Sequence, residues 1–302
     1  MVFFQSLIVA LLTLLFVAFY AIVFFVLQLF ESVKEGPLQW IILGILGLVG
    51  LVYAFVPLMI LAKFNFEAKP RIIPVDLDDY EWPPEADKLF RRASSTLMKL
   101  GFEIDEAFFL PSVVENVKTI GVLMVNRVQR DCAMIAAIYA LPVQPGSLKN
   151  LYVEFTSGGP DDTVFDTNNS DQLSAFPTPD RKTIYQLPKV KDVADLYAIH
   201  QAIMQRDGLT MSSKTFKLDT EYRGDVIKLL QAGMGREFAD AAADGYLKTD
   251  GETHYRPTVK GAFLMVWKEL WPWKMVRRNR RDRKAAELLE ELERQGVELR
   301  HA

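Results

Sequence analysis

Cysteine is almost absent: the 302-residue chain has one, Cys132. That excludes an internal disulfide and any paired-cysteine metal site, and it suits a reducing compartment. Catalytic signatures are missing as well. There is no glycine-rich phosphate loop, no HExxH and no G-x-S-x-G elbow, so the sequence implies no cofactor and no metal and favours a binding role over an enzyme. Charge is missing where it is most informative. The net charge of -3 and the 50% apolar content would suit an ordinary soluble chain, but residues 2–30 and 37–62 contain no Asp, Glu, Lys or Arg.

Each charge-free stretch exceeds the ~20 residues that cross a ~30 Å hydrocarbon core as a helix, which predicts two transmembrane helices. The first lacks a basic n-region and is too long for a signal peptide, so it is expected to stay in the chain. Only "ESVKEG" separates the two, giving a tight hairpin over 1–63. Lys34 is alone in that loop, whereas Lys63, Lys69 and Arg71 follow the second span. This bias places both termini in the cytoplasm of a cell whose inner membrane holds the two spans. Gly44, Gly47, Gly50 and Ala54 form a small-residue stripe suited to helix pairing against the first span. Neither span has an ionisable residue, which argues against an ion pathway.

Residues 64–82 read as a proline-interrupted tether, and an α+β cytoplasmic domain is expected over 83–208. Pro83 and Pro84 open a helix in which Leu89, Phe90, Leu97 and Leu100 recur at helical spacing up to Gly101. "VKTIGVLMV", "CAMIAAIYA", "LYVEFT", "TVFDT" and "TIYQL" are short, β-branched and aromatic runs separated by turn clusters. They predict an antiparallel sheet with helices over one face, "SGGPDD" closing a hairpin with Gly158 or Gly159 at positive φ. A second amphipathic helix is expected at about 191–206.

Residues 209–302 form the third unit. "GDVIKLLQAG" and "REFADAAADG" read as two helices split by Gly233 and Gly235, followed by a hairpin at Asp250–Gly251 and a helix capped by Thr258. The order is winged-helix-like. The segment "GYLKTDGETHYRPTVKGAFLMVWKELWP" resembles a recurring signature in uncharacterised bacterial two-span inner-membrane proteins, a likeness that implies a membrane anchor and no particular activity. A groove-reading helix would carry Arg236 among Glu237, Asp240 and Asp244, which would repel phosphates, so nucleic acid is not an expected partner.

"DDTVFDTNNSD", 161–171, has the density of a ligand loop, but Asp171 and Pro177 stand where a calcium loop needs glycine and glutamate. His200, His254 and Asp166 remain as a candidate pocket, weighed against ordinary structural roles. Near the C-terminus, a helix starting at Trp273 would be basic first and acidic later, the reverse of what the helix dipole favours. Something outside the helix should compensate. Anionic lipid headgroups are the expected partner, contacted by Trp273, Arg277, Arg278, Arg280, Arg281, Arg283 and Lys284. The function that follows is a membrane-anchored cytoplasmic binding or scaffold module, held in the bilayer and taking a protein partner, a second copy or lipid. The alternatives are a membrane-associated hydrolase or transferase whose site assembles from distant residues, and a membrane-tethered transcription regulator.

Overall fold

A computed structural model describes residues 37–76, 82–111, 117–143 and 147–297. Two compact units divide the chain, Met1–Phe55 and Val56–Ala302. Helix α1, Pro37–Lys63, contains Pro57, and its large apolar side chains Ile41, Ile45, Leu48 and Leu51 are exposed. The expected two-span hairpin is not supported, because among the described residues no helix is long and apolar enough to cross a membrane. The first expected span lies outside the described residues. The two-span topology with both termini cytoplasmic falls with the hairpin. At Gly44 and Gly47 no described atom lies within 4 Å of an added Cβ; the first span, the expected pairing partner of the small-residue stripe, lies outside the described residues.

The mixed α+β architecture is present. Seven strands form one sheet in sequence order: β2 (Ile73–Val75), β3 (Glu103–Leu110), β4 (Val117–Asn126), β5 (Asp131–Ala140), β6 (Leu148–Gly158), β7 (Val164–Asn168) and β8 (Lys182–Gln186). Neighbours are antiparallel down to β6–β7, where Glu154 faces Asn168 and Gly158 faces Val164 across the "SGGPDD" turn. The left-handed residues of that turn are Asp161 and Asp162, at φ 53° and 62°, rather than either glycine. The last pair, β7–β8, is parallel, which the intervening residues 169–181 are long enough to allow.

Helices α2 (Pro84–Lys99) and α3 (Val193–Arg206) cover one face, α3 being capped by the Asp192 carboxylate, which accepts from Ala194 N and Asp195 N. Phe90, Ala93 and Leu97 of α2 and Leu196, Ile199 and Ile203 of α3 bury against Ile120, Val122, Met124, Ile135, Val153 and Phe155. The opposite face is covered too, where Phe108, Leu110, Leu123 and Val125 meet Leu218 of α4 (Lys217–Thr220) and Val226 of α5 (Val226–Ala243). Both faces of β4 are therefore in core, and "TIGVLMV" is correspondingly a near-continuous apolar run.

A three-stranded sheet holds β9 (Leu247–Asp250) and β10 (His254–Pro257), with β1 (Phe66–Glu67) added from the expected tether. Its core is Phe66, Ala241 and Leu247, packed by Phe238, Tyr255 and Met265. The turn between β9 and β10 places Gly251 at φ +68°, and Thr258 caps α6 (Val259–Trp267) by accepting from Gly261 N. Two expectations change here. Helix α5 is continuous through Gly233 and Gly235, and the tether is built into both sheets through β1 and β2. The final helix α7, Trp273–Arg294, begins after Pro272 and returns to the large sheet's core through Leu288 and Leu292.

Candidate functional site

His200, Asp166 and His254 have three separate surroundings. His200, on α3, is 0% exposed. Successive side chains of β7 point to opposite faces, so Thr167 hydrogen-bonds His200 while Asp166 pairs with Lys182 on the other side of the sheet, at 2.7 Å. His254 sits in the small sheet with Nδ1 2.8 Å from Thr253 Oγ1. The pocket expected from these residues does not assemble.

His200 belongs to a polar network absent from the sequence reading. Asp131, the first residue of β5, is 0% exposed and sits at its centre. Its Oδ1 accepts from Ser157 Oγ and Lys214 Nζ, both at 2.5 Å, and its Oδ2 accepts from Tyr197 OH at 2.9 Å and Gln201 Nε2 at 2.6 Å. Ser157 Oγ is also 2.9 Å from His200 Nε2, and His200 Nδ1 is 2.9 Å from Thr167 Oγ1. A serine, a histidine and an aspartate in contact suggest nucleophilic catalysis, but the proton directions oppose it. Because Ser157 donates to Asp131, His200 must donate to Ser157 through Nε2, leaving Nδ1 to accept from Thr167. The histidine offers the serine no lone pair, so it cannot take the serine's proton. Burial lowers its pKa to about 4, which keeps it neutral. The sequence signal was a lone acid heading the apolar run "DCAMIAAIYA", and its cation lies 83 residues away.

Above this network opens a cleft of about 900 Å³. Its walls are the β4–β5 turn with Arg127 and Arg130, the turn with Asp161 and Asp162, and the segment from Lys214 to Glu221. The turn and the segment clasp each other. Lys214 Nζ donates to Gln129 O at 3.1 Å, and Arg130, held at φ 57°, donates through Nη1 to Lys214 O at 3.2 Å. Asp162 accepts from Lys217 and from Arg236, and the Lys217 hydrogen bond holds its carboxyl below the usual range. Arg127 lies 3.4 Å from both Glu103 and Asp105. The cleft thus presents charges of both signs on hydrogen-bonded turns.

On the sheet's other face, Lys182 Nζ binds Asp166 and Glu237 of α5, while Asn168 Nδ2 donates to Glu154 Oε2 at 2.9 Å. Burial, reinforced by the Asp166 charge, raises the Glu154 carboxyl to about 8. Arg181 pairs with Asp240 at 2.6 Å. The acids of α5 that would have repelled phosphates are therefore partly neutralised by the sheet itself. Among the described residues no group of three or more His, Cys, Asp or Glu side chains could hold a metal ion, and within the 161–171 loop Asp166 is matched by lysine.

The C-terminal arginine block is also engaged. Asp171 accepts from Arg278 and, at 3.0 Å, from Arg281, whose Nη1 also donates to Asp171 O at 2.9 Å. Arg277 Nη2 donates to Ser174 O at 2.8 Å, and Arg283 pairs with Glu287 along α7. The compensation that the reversed dipole demanded comes from the loop at 171–174. Arg280 and Lys284 are exposed, as are Trp271 and Trp273 at 74% and 56%.

No family model, curated protein or solved structure matches this chain.

Proposed function

We propose that this chain is a binding module that seats a polar polypeptide segment carrying both charge signs in the cleft between the β4–β5 turn and residues 214–221. The dispersal of the nominated histidines and Asp166 supports this reading: the side chains best suited to acid–base work share no open site, and the Ser157–His200–Asp131 cluster is closed to solvent and saturated with internal hydrogen bonds. The cleft, by contrast, is open, large enough for several side chains, and lined by Arg127, Arg130, Lys217, Asp161, Asp219 and Glu221.

Photocross-linking from position 220 of the full chain, followed by mass spectrometry and titration of the captured segment as a synthetic peptide, tests it. Saturable binding is expected, weakened by R127S and by added salt, and unchanged by the buried substitution H200Q. Binding insensitive to R127S, or a captured species with no affinity as a peptide, overturns the reading.

A further inference from the structure

At the junction of α6 and α7 two cations share one strip of backbone. Lys268 Nζ donates to Ala175 O at 3.3 Å, and Arg277 Nη2 donates to Ser174 O at 2.8 Å, so both heads are anchored at adjacent carbonyls. Neither forms an ion pair among the described residues; Glu269, the acid whose field reaches Arg277, is itself 2.9 Å from Lys274. Arg277 Nη1 is screened from solvent and has no hydrogen-bond partner among the described residues. A screened guanidinium N–H without an acceptor is unfavourable, the more so because the group is charged. Burial, with the neighbouring Arg277 charge, lowers the Lys268 ammonium to about 8. Two like charges side by side with an unused donor are the donor set of an anion site.

What surrounds the pair narrows the anion. Trp271, Trp273, Met275 and Val276 are each at least half exposed. At 100° per residue, Val276 and Arg283 fall on the side of α7 away from the buried Leu288 and Leu292. The first acid on that side is Glu287. Base stacking would use the two tryptophans but gains nothing from Met275 and Val276, whereas hydrocarbon takes all four. Basic side chains are attracted to an anionic bilayer surface.

We propose that the α6–α7 junction binds an anionic phospholipid, with Lys268 and Arg277 on its phosphate and Trp271, Trp273, Met275 and Val276 against its acyl region. Arg278 and Arg281, tied to Asp171, hold the fold rather than the lipid. This surface is independent of the charged cleft.

The test follows Lys268 acetylation in the full chain at pH 7 by mass spectrometry, with exposed Lys149 as internal control. A bound phosphate raises the Lys268 pKa, and below that pKa each unit lowers the reactive amine about tenfold. Short-chain phosphatidylglycerol is expected to protect Lys268, and phosphatidylcholine, inorganic phosphate and an oligouridylate at equal concentration are not. R277Q abolishes the protection. W273S/M275S, which alters two exposed side chains outside the hydrophobic core, abolishes it as well. Equal protection by inorganic phosphate would show a free-anion site, stronger protection by the oligouridylate a nucleic-acid surface, and no protection by any probe no site; each overturns the proposal.

Discussion

Replacing Glu154 with glutamine should change how stability depends on pH, in a way that two buried groups determine together. In the folded chain Glu154 titrates at about 8 instead of 4.5. Between those values the folded state holds a proton that the unfolded state has released, so stability falls as pH rises, by about 1.4 kcal/mol per unit. His200 runs the other way. Its folded value of about 4 lies below the ordinary 6.5, so the unfolded state binds the extra proton and stability rises with pH between those values. From pH 4.5 to 6.5 the two slopes oppose and nearly cancel. From 6.5 to 8 Glu154 acts alone, and the loss approaches about 2 kcal/mol, less for the partial solvent contact of its side chain. The groups around Glu154 do not titrate in this window to offset it, since Lys182 is raised further by Asp166 and Glu237 despite its own burial, and burial with the nearby carboxylates raises Tyr152 as well. Urea unfolding of the full chain at pH 5, 6.5 and 8 should give a wild-type curve that is level and then declines. E154Q, which keeps an acceptor for Asn168, should instead climb to pH 6.5 and stay level. A wild-type curve without the decline, or an E154Q curve that declines in parallel, would falsify the assignment.

Three further outcomes follow from particular contacts. Desolvation, with Asp131 beside it, raises the Cys132 thiol to about 12, so although the side chain is half-buried, alkylation by iodoacetamide at pH 8 should be slow in the folded protein and fast in urea; rapid labelling of folded protein would contradict this. A Cβ at Gly261 would lie 1.9 Å from Tyr246 O, the carbonyl that accepts from Thr258 N. G261A should therefore lower stability by about 1–3 kcal/mol in thermal unfolding, and a neutral result would mean that the β9–β10 hairpin and α6 are not packed as described. K214M leaves the Asp131 carboxylate without its cation inside the core, at a cost of about 3–5 kcal/mol by urea titration, and a loss under about 1 would show that Ser157, Tyr197 and Gln201 suffice to hold that charge.

Local signals were legible where they rest on neighbouring residues. The "SGGPDD" hairpin, the Asp250–Gly251 turn and the Thr258 cap could all be read because turn chemistry and capping are decided within a few positions. Misreadings occurred where a distant partner sets the meaning. Gly235 resembles a helix break, yet it lies inside α5 because Ala68 O would be 2.7 Å from its Cβ, so the glycine marks a close backbone approach by the tether. The tether's Phe66–Glu67 and Ile73–Val75 are too short for period-2 alternation to show, and their strand character comes from β10 and β3. The long uncharged runs are plain in the sequence, but a pattern of hydropathy does not supply a span, and the described helix does not bear out the hairpin. Of the candidate site, His200 was visible as a histidine on an apolar helix face. Its partners Asp131, Ser157 and Lys214 were not, since 83 residues separate the ion pair alone and no local spacing encodes it.

The short strands β1 and β2 carry a consequence for how this chain can be cut. One closes the edge of the small sheet and the other the edge of the large sheet, and only residues 68–72 lie between them. A fragment starting at residue 83 would bare a row of unpaired backbone groups on both sheets at once, the condition under which strands recruit one another in aggregates. Those five residues act as a common hem: the two sheets cannot drift apart without one of them losing its border, and a protease nicking residues 68–72 would release both margins in a single cut.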